Sequence, residues 1–182
     1  MARGSQQSHS GCQFARPSPV IEEDVMYTAP TDDMQFLIDD VLDVGTVLGS
    51  LPHYAELGLG SELTTALLDE AAKFASDVVS PLRRVGDAHP ARCHDSAVTI
   101  PPGYGEAIQQ LGSGGWVGIS APQDQGGQGL PELFGTAACE MWNSADMAFA
   151  LEPFLSAGAA LAIAAHANDD LKATYLEKIY SG

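Results

Sequence analysis

The chain has 182 residues, a length that allows one domain, or one part of a larger enzyme, with a core of its own. Its composition is 45% hydrophobic but only 7% aromatic, which favours helices. Eight Lys and Arg against 24 Asp and Glu give a formal net charge of -16, so no basic face exists for a phosphate backbone or an anionic membrane surface, and neither nucleic acid nor membrane is expected as a partner.

The first 21 residues differ in composition from the rest of the chain, because they contain two Arg and no acidic residue. Their Ser, Gln, Gly and Pro cannot bury enough apolar surface to offset the entropy lost on ordering. Met26 is itself able to initiate translation. We therefore expect residues 1–25 to be a disordered tail or a mis-assigned extension upstream of the true start.

The first predicted helix spans residues 34–44 and follows an N-cap at Thr31 and Asp32. Gly45 and the run 49–52 are expected to break it, because glycine and proline disfavour a helix interior. The sequence therefore predicts that regular structure pauses after residue 44.

The second predicted helix is amphipathic and spans about residues 61–80. Pro81 should end or kink it, since proline lacks the N–H that a helix interior needs. Residues 86–102 are rich in turn formers and have no sustained hydrophobic period, which predicts a connecting loop.

Four further helices are predicted in the second half of the chain. They cover residues 104–111, residues 131–142, a segment capped by Asp146 that reaches about His166, and a last segment capped by Asn168. With about six helices and no confident strand, the sequence predicts an all-α class, an orthogonal or up-and-down bundle.

For several groups of residues, a structural role explains the sequence pattern better than a functional site does. The glycine runs 112–115 and 126–129 lack a preceding strand and a phosphate-loop pattern, so they predict tight turns. His89, Cys93 and His94 have no fourth ligand at a suitable spacing, so no metal is predicted. Paired carboxylates on helix faces are interpreted as solvated charge rather than catalytic groups.

The cysteine pattern and the apolar runs favour a cytoplasmic protein. The three cysteines, Cys12, Cys93 and Cys139, are widely separated, and Cys139 lies in an apolar stripe typical of a core residue. The most apolar stretch, residues 154–165, covers twelve residues, short of the roughly 18 that a membrane span needs. We therefore expect no transmembrane helix.

Two motifs in the middle of the chain resemble the G-W-x-G-x-x-x-P and G-G-x-G-L runs of acyl-CoA dehydrogenases. The run 115–122 reads GWVGISAP and the run 126–130 reads GGQGL. Asp124 stands where Glu is usual and Gln125 where an aromatic residue is usual. The positions that carry the resemblance are Gly115, Trp116, Gly118, Pro122, Gly126, Gly127 and Gly129.

The likeness extends in both directions. Residues 168–182 resemble the N-D-x-x-K-x-x-Y-L…S-G ending of that family's N-terminal helical domain. Residues 26–43 resemble an extra N-terminal segment of a larger bacterial-type subgroup. The resemblance implies an extra helical segment at 26–60 and the helical domain at 61–182, with the chain ending before the FAD-binding β-domain.

What the resemblance implies about activity is α,β-dehydrogenation of a fatty acyl-CoA, with hydride passing to FAD. The family's catalytic Glu and most flavin contacts lie in later domains, so no catalytic or cofactor-binding residue is assigned here. This chain alone is expected neither to be active nor to retain FAD. Its expected partners are the β- and C-terminal domains or homologous subunits, and acyl-CoA through the complete enzyme.

The family's first domain forms part of the wall of the acyl-chain channel. Matched backward from Asn168, the channel-facing positions are Ala150, Leu151, Phe154 and Gly158. The last three are spaced by three and four residues, hence on one helical face, and are apolar. A core face would be apolar too, so this alternative stays open.

Two other functions remain open at this point. A flavin monooxygenase of the same architecture would share this domain and differ in its chemistry at the flavin. A non-catalytic acidic helical module that docks on a full-length partner would also fit the composition.

Overall fold

The structure, a computed structural model, describes residues 27–182, so the expectation for residues 1–25 lies outside the described residues. Most of the described chain is helical, which confirms the predicted all-α class. The α-helices are α1 (Thr31–Phe36), α2 (Val44–Gly49), α3 (Pro52–Ala55), α4 (Ser61–Phe74), α5 (Ser80–Ala88), α6 (Tyr104–Ser113), α7 (Glu132–Ala145), α8 (Met147–His166) and α9 (Asp169–Tyr180). The other elements are π-helical turns at Leu37–Val41 and Ala75–Val79, a 3₁₀ turn at Gln123–Gln125, and strands β1 (Arg92–His94) and β2 (Ala97–Thr99).

The N-terminal segment is more broken than its sequence predicts. Helix α1 has Pro30 at its N-cap and no capping side-chain hydrogen bond, so the predicted cap at Thr31 and Asp32 is wrong. The predicted break after residue 44 is also wrong, since α2 begins at Val44 and contains two glycines. Val44 and Leu48 are buried four residues apart, and this packing outweighs the low helix propensity of glycine.

Helices α4 and α5 are continuous in the chain, which corrects the expectation that Pro81 ends the second helix. The π-helical turn Ala75–Val79 joins them, and the Ser80 N–H bonds to the Ala75 carbonyl. A π turn widens the backbone just before the proline. This relieves the clash that a proline ring makes with the carbonyl four residues earlier.

Residues 86–102 were expected to form a loop, and the structure corrects this too, because α5 reaches Ala88 and is followed by a β-hairpin. Strands β1 and β2 are antiparallel, with Arg92 opposite Thr99. Asp95 and Ser96 at its turn have φ of 48° and 63°, the left-handed backbone of a two-residue hairpin turn. Strands of three residues are too short to give a detectable period of two.

The predicted N-cap residues correctly located the start of the last two helices. Asp146 Oδ1 accepts the Ala148 N–H at 3.0 Å, and Asn168 Oδ1 accepts the Leu171 N–H at 3.0 Å. These bonds confirm both predicted N-caps, because each satisfies a backbone donor that a helix start leaves free.

The apolar core has two parts, and α8 contributes to both. The larger part is centred on the fully buried Leu111, Met141 and Phe149 and joins α1, α4, α6 and α7 to the start of α8. The smaller part consists of Ala121, Ala160, Leu176 and Tyr180 and joins α8 to α9 and to the glycine-rich connection before α7. This arrangement fixes one side of α8 and leaves its other side open.

Candidate functional site

The glycine-rich loop (residues 114–131) connects α6 to α7 and folds back on itself. The Gln128 N–H donates to the Gly118 carbonyl at 2.9 Å. The Leu130 N–H donates to the Ile119 carbonyl at 3.0 Å. These bonds hold the two motif runs side by side as one structural unit.

Glycine is required in this loop by conformation and by space. Gly126 has a φ of 90°, and positive φ also occurs at Gly115 and Gly129. A Cβ on Gly127 would overlap the Ala121 carbonyl oxygen. The motif glycines therefore make the turns possible, since other residues strain at positive φ or cannot approach backbone this closely.

The same loop packs against neighbouring helices. A Cβ on Gly118 would lie 2.9 Å from the Tyr180 Cβ on α9. The Trp116 ring meets Trp142 of α7 edge-on, with ring centroids 5.5 Å apart and planes at 90°. Pro122 precedes the 3₁₀ turn. The motif thus positions the surface between α7, α8 and α9.

A groove of about 570 Å³ opens on this surface. Its walls come from the glycine-rich loop, α7 and α8, and they are mostly apolar. Glu132 and Glu140 are the charged residues that line it, and among the described residues no Lys or Arg does so. The residues that form its apolar surface include Trp116, Val117, Ile119, Pro122, Phe154 and Leu161.

Polar groups along the groove are few and weakly reactive. Ser120 Oγ and Trp142 Nε1 are buried without a hydrogen-bond partner in the described chain. Burial raises the pKa of the Cys139 thiol, so it stays protonated near neutral pH, as its predicted place in a core stripe implies. Asn143 Nδ2 donates to its sulfur at 3.2 Å. The groove therefore suits an apolar occupant better than a nucleophilic reaction.

The four predicted channel residues do not lie together. Ala150 is fully buried in the larger core. Leu151 and Phe154 are 49% and 62% exposed, and Phe154 also lines the groove. Gly158 is exposed, with open space where a Cβ would stand. The structure thus places three of the four on the open side of α8 and the fourth inside.

The open face of α8 is larger than the predicted channel positions. Met147, Leu155 and Leu161 are each more than 60% exposed, although all three side chains are large and apolar. Leu155 and Leu161 lie near Phe154 on the helix but were not predicted from the sequence. The sequence feature that could have indicated them is the run of apolar residues along α8, which is longer than its contacts with the core require.

Helix α8 is also long and apolar enough, by length and composition alone, to pass as a membrane span. It has 20 residues, and the twelve-residue apolar stretch 154–165 is its C-terminal part. Core helices of soluble proteins pass the same test, which makes one such helix weak evidence for a membrane. Here 22% of its apolar window is buried inside the described structure.

A second cavity, of about 1410 Å³, lies between α5, α6 and the start of α8. At its edge the Tyr104 hydroxyl donates to Asp146 Oδ2 at 2.6 Å. Burial, reinforced by this neighbouring carboxylate, raises the pKa of Tyr104. Sequence reasoning missed the contact because its partners are 42 residues apart.

The described residues contain no group of three or more His, Cys, Asp or Glu side chains that could hold a metal ion. Cys93 and His94 lie on the exposed strand β1. His94 Nε2 contacts the neighbouring Asp95 carboxylate at 3.3 Å, with both side chains almost fully in solvent. This pair contributes little to stability, because exposed ion pairs are screened by water and salt.

Comparison with known proteins identifies a family. A family model described as the N-terminal domain of acyl-CoA dehydrogenase matches residues 61–182. A 3-methylmercaptopropionyl-CoA dehydrogenase from Ruegeria pomeroyi is 38% identical over 156 residues, which cover 86% of this chain. The chain spans 26% of that relative's length. The family resemblance of the sequence motifs is therefore confirmed.

Proposed function

Because this chain belongs to the acyl-CoA dehydrogenase family, we propose that it is the N-terminal helical part of an enzyme that oxidises acyl-CoA thioesters with FAD. The chemistry is removal of an α proton and a β hydride from the acyl group. The observation that carries the proposal is the open apolar face of α8 beside the groove. A surface of this kind needs either an apolar ligand or a further domain to exclude water from it.

The role proposed for this chain is to form one wall of the acyl-chain channel. Leu151, Phe154 and Gly158 lie on the open face and present apolar surface or free space. An alkyl chain lying along them would be stabilised by about 25 cal/mol for each Å² of apolar surface that is removed from water. The fully buried Ala150 would support this wall from behind.

The lining of the groove does not fit the diphosphate of FAD. The groove is lined by two carboxylates, Glu132 and Glu140, which would repel it, and by no described Lys or Arg. We therefore assign no flavin contact to this groove. We infer that the flavin contacts lie in the rest of the relative's length, beyond the 26% that this chain spans.

A chimera tests the channel wall. Residues 27–182 would replace the matching part of the Ruegeria pomeroyi relative, so that the other domains are present. In this chimera Phe154→Trp and Gly158→Leu fill space on the open face of α8. We expect activity on long acyl-CoA substrates to fall by about tenfold or more relative to short ones, since a filled pocket discriminates by size.

The matched control is Ala165→Leu, which enlarges an exposed residue near the end of the same helix. It should leave the ratio of long-chain to short-chain kcat/KM unchanged. An equal loss on short and long substrates in Phe154→Trp, with an unaltered flavin spectrum, would show that the wall lies elsewhere.

A further inference from the structure

The groove between the glycine-rich loop, α7 and α8 combines apolar walls with a negative charge. Glu132 and Glu140 both line it from α7, where their positions are about 12 Å apart along the helix axis. Both side chains are exposed, and no described Lys, Arg or His lines the groove with them. The chain as a whole carries a formal net charge of -16, so its surroundings do not offset these two carboxylates. An occupant of the groove therefore meets apolar surface and an uncompensated negative charge together.

The negative charge acts inside the groove as well as at its rim. Cys139 lies on the same wall, between the two carboxylates in the chain. Burial is the main cause of the raised pKa of its thiol, and the carboxylate of Glu132 raises that pKa further. A carboxylate that disfavours a negative charge at this wall favours a positive charge at the same place. The groove thus selects its occupant by charge.

Aromatic side chains line the groove beside these carboxylates. The Trp116 and Trp142 rings meet edge-on, with planes at 90°, and Trp142 is buried, which restricts the orientation of Trp116. Phe154 lies on the opposite wall and is 62% exposed, so its ring is free to contact an occupant. Aromatic ring faces attract cations, and sets of such rings recognise quaternary ammonium groups in particular.

The size and shape of the groove suit a small molecule with an aliphatic part. Its volume of about 570 Å³ lies within the range of about 300–1,000 Å³ that is usual for small-molecule sites. On α8 the lining residues Phe154, Ala157 and Leu161 are spaced by three and four, so they form a continuous apolar strip. An alkyl chain of several carbons could lie along this strip and leave its end near α7.

We propose that the groove binds a small molecule whose aliphatic chain ends in an alkylated ammonium group. The chain lies along the apolar strip of α8, and the cation lies between the aromatic rings and the carboxylates of Glu132 and Glu140. This site does not depend on the channel wall proposed above, because its test measures binding to the chain alone. Failure of one proposal therefore leaves the other standing.

Tryptophan fluorescence reports occupancy directly, since the chain has two Trp residues and both line the groove. The probe is octyltrimethylammonium below the concentration at which it forms micelles. It is compared with 1-octanol and octanoate, which have a similar chain with a neutral or a negative end. The full chain should bind the ammonium probe about fivefold or more tighter than 1-octanol, and octanoate most weakly. Raising the ionic strength from about 0.05 M to about 0.5 M should narrow this difference.

Substitutions in the groove separate the contribution of charge from that of apolar surface. Glu132→Gln with Glu140→Gln should remove most of the preference for the ammonium probe and leave 1-octanol binding unchanged. Phe154→Leu should weaken ammonium binding by about twofold or more, because leucine is apolar but has no ring face. The matched control is Asp69→Asn with Glu70→Gln on the exposed face of α4, which changes the net charge equally and should leave the preference intact.

Three results would overturn the proposed site. They are no binding of the ammonium probe, equal affinity for it and for 1-octanol, or equal losses in the groove variant and the α4 variant. The last result would mean that the probe responds only to the net charge of the chain. Circular dichroism melts verify that each variant is folded, and all five substituted side chains are exposed.

Discussion

At the scale of single residues, two glycines of the candidate site have opposite requirements. A Cβ at Gly127 would overlap the Ala121 carbonyl oxygen, which already accepts the Gly129 N–H at 2.8 Å. We expect Gly127→Ala to lower the free energy of unfolding by about 2 kcal/mol or more. Gly158 lies in a helix with open space around it, so Gly158→Ala should raise that free energy by up to about 1 kcal/mol.

Thermal unfolding of the two alanine variants checks this contrast. A change of 1 kcal/mol corresponds to about 2–4 °C in Tm for a chain of this size. Equal shifts in the two variants would mean that the glycine-rich loop rearranges to accept a side chain.

Tyr104 and Asp146 form a second point of sensitivity. Asp146 is buried, and Tyr104→Phe would remove the hydroxyl that donates to its Oδ2, leaving a buried acceptor with one partner fewer. We expect a loss of about 1–3 kcal/mol in the free energy of unfolding at pH 7. Urea titration of wild type and variant measures it, with Tyr175→Phe on exposed α9 as the control.

The same tyrosine predicts a pH dependence. Its pKa is raised in the folded protein above the ordinary value of 10.0, chiefly by burial. Stability from its protonated form is fully present below pH 10 and is lost as the pH rises through the folded pKa. Between pH 9 and about 11.5, Tm should therefore fall more steeply in wild type than in Tyr104→Phe. Parallel curves would contradict the assignment.

At the scale of elements, the sequence predicted correctly those features that depend on residues close together in the chain. Asp146 and Asn168 were correctly predicted as caps because an N-cap acts on a backbone two or three residues away. The prediction that Pro81 ends the second helix was wrong because the π-helical turn before it depends on the packing of Ala75 and Val79, which are both fully buried. The Tyr104–Asp146 contact and the groove required three-dimensional positions that no local pattern contains.

The open face of α8 leads to a prediction about surface chemistry. Leu155 and Leu161 are 65% and 68% exposed, so their replacement costs little packing. We expect Leu155→Gln with Leu161→Gln to reduce the fluorescence of an apolar dye bound to the chain by about half or more, because the patch is a large apolar surface. Tm should change little, since surface substitutions alter stability by about 0.5 kcal/mol or less.

A matched control for the α8 patch lies on the π-helical turn Leu37–Val41. Leu37→Gln with Val41→Gln removes apolar surface of similar exposure on a different element. Dye loss of equal size in both double variants would show that no single patch on α8 dominates.

At the scale of the whole molecule, the sequence motifs identified the family, but they did not show which residues of α8 are exposed. The motif glycines are recognisable because their backbone conformation leaves few alternatives. The predicted channel positions carry no such signature, because an apolar helix face has the same sequence pattern whether it meets core, ligand or another domain. Only the fold separated the buried Ala150 from the exposed Phe154.

If the proposed function holds, cofactor retention should depend on domains like those that make up the rest of the relative's length. The chain matches 26% of the relative's length, and the groove it contributes is bordered by Glu132 and Glu140 rather than by cations. We expect the chain alone, incubated with excess FAD and passed through gel filtration, to elute without flavin absorbance and to show no dye reduction with any acyl-CoA. The chimera with the relative's remaining domains should elute with flavin under the same conditions. Stoichiometric flavin on the isolated chain would mean that its own residues hold the cofactor, and Glu132→Gln with Glu140→Gln would then show whether the groove is where it binds.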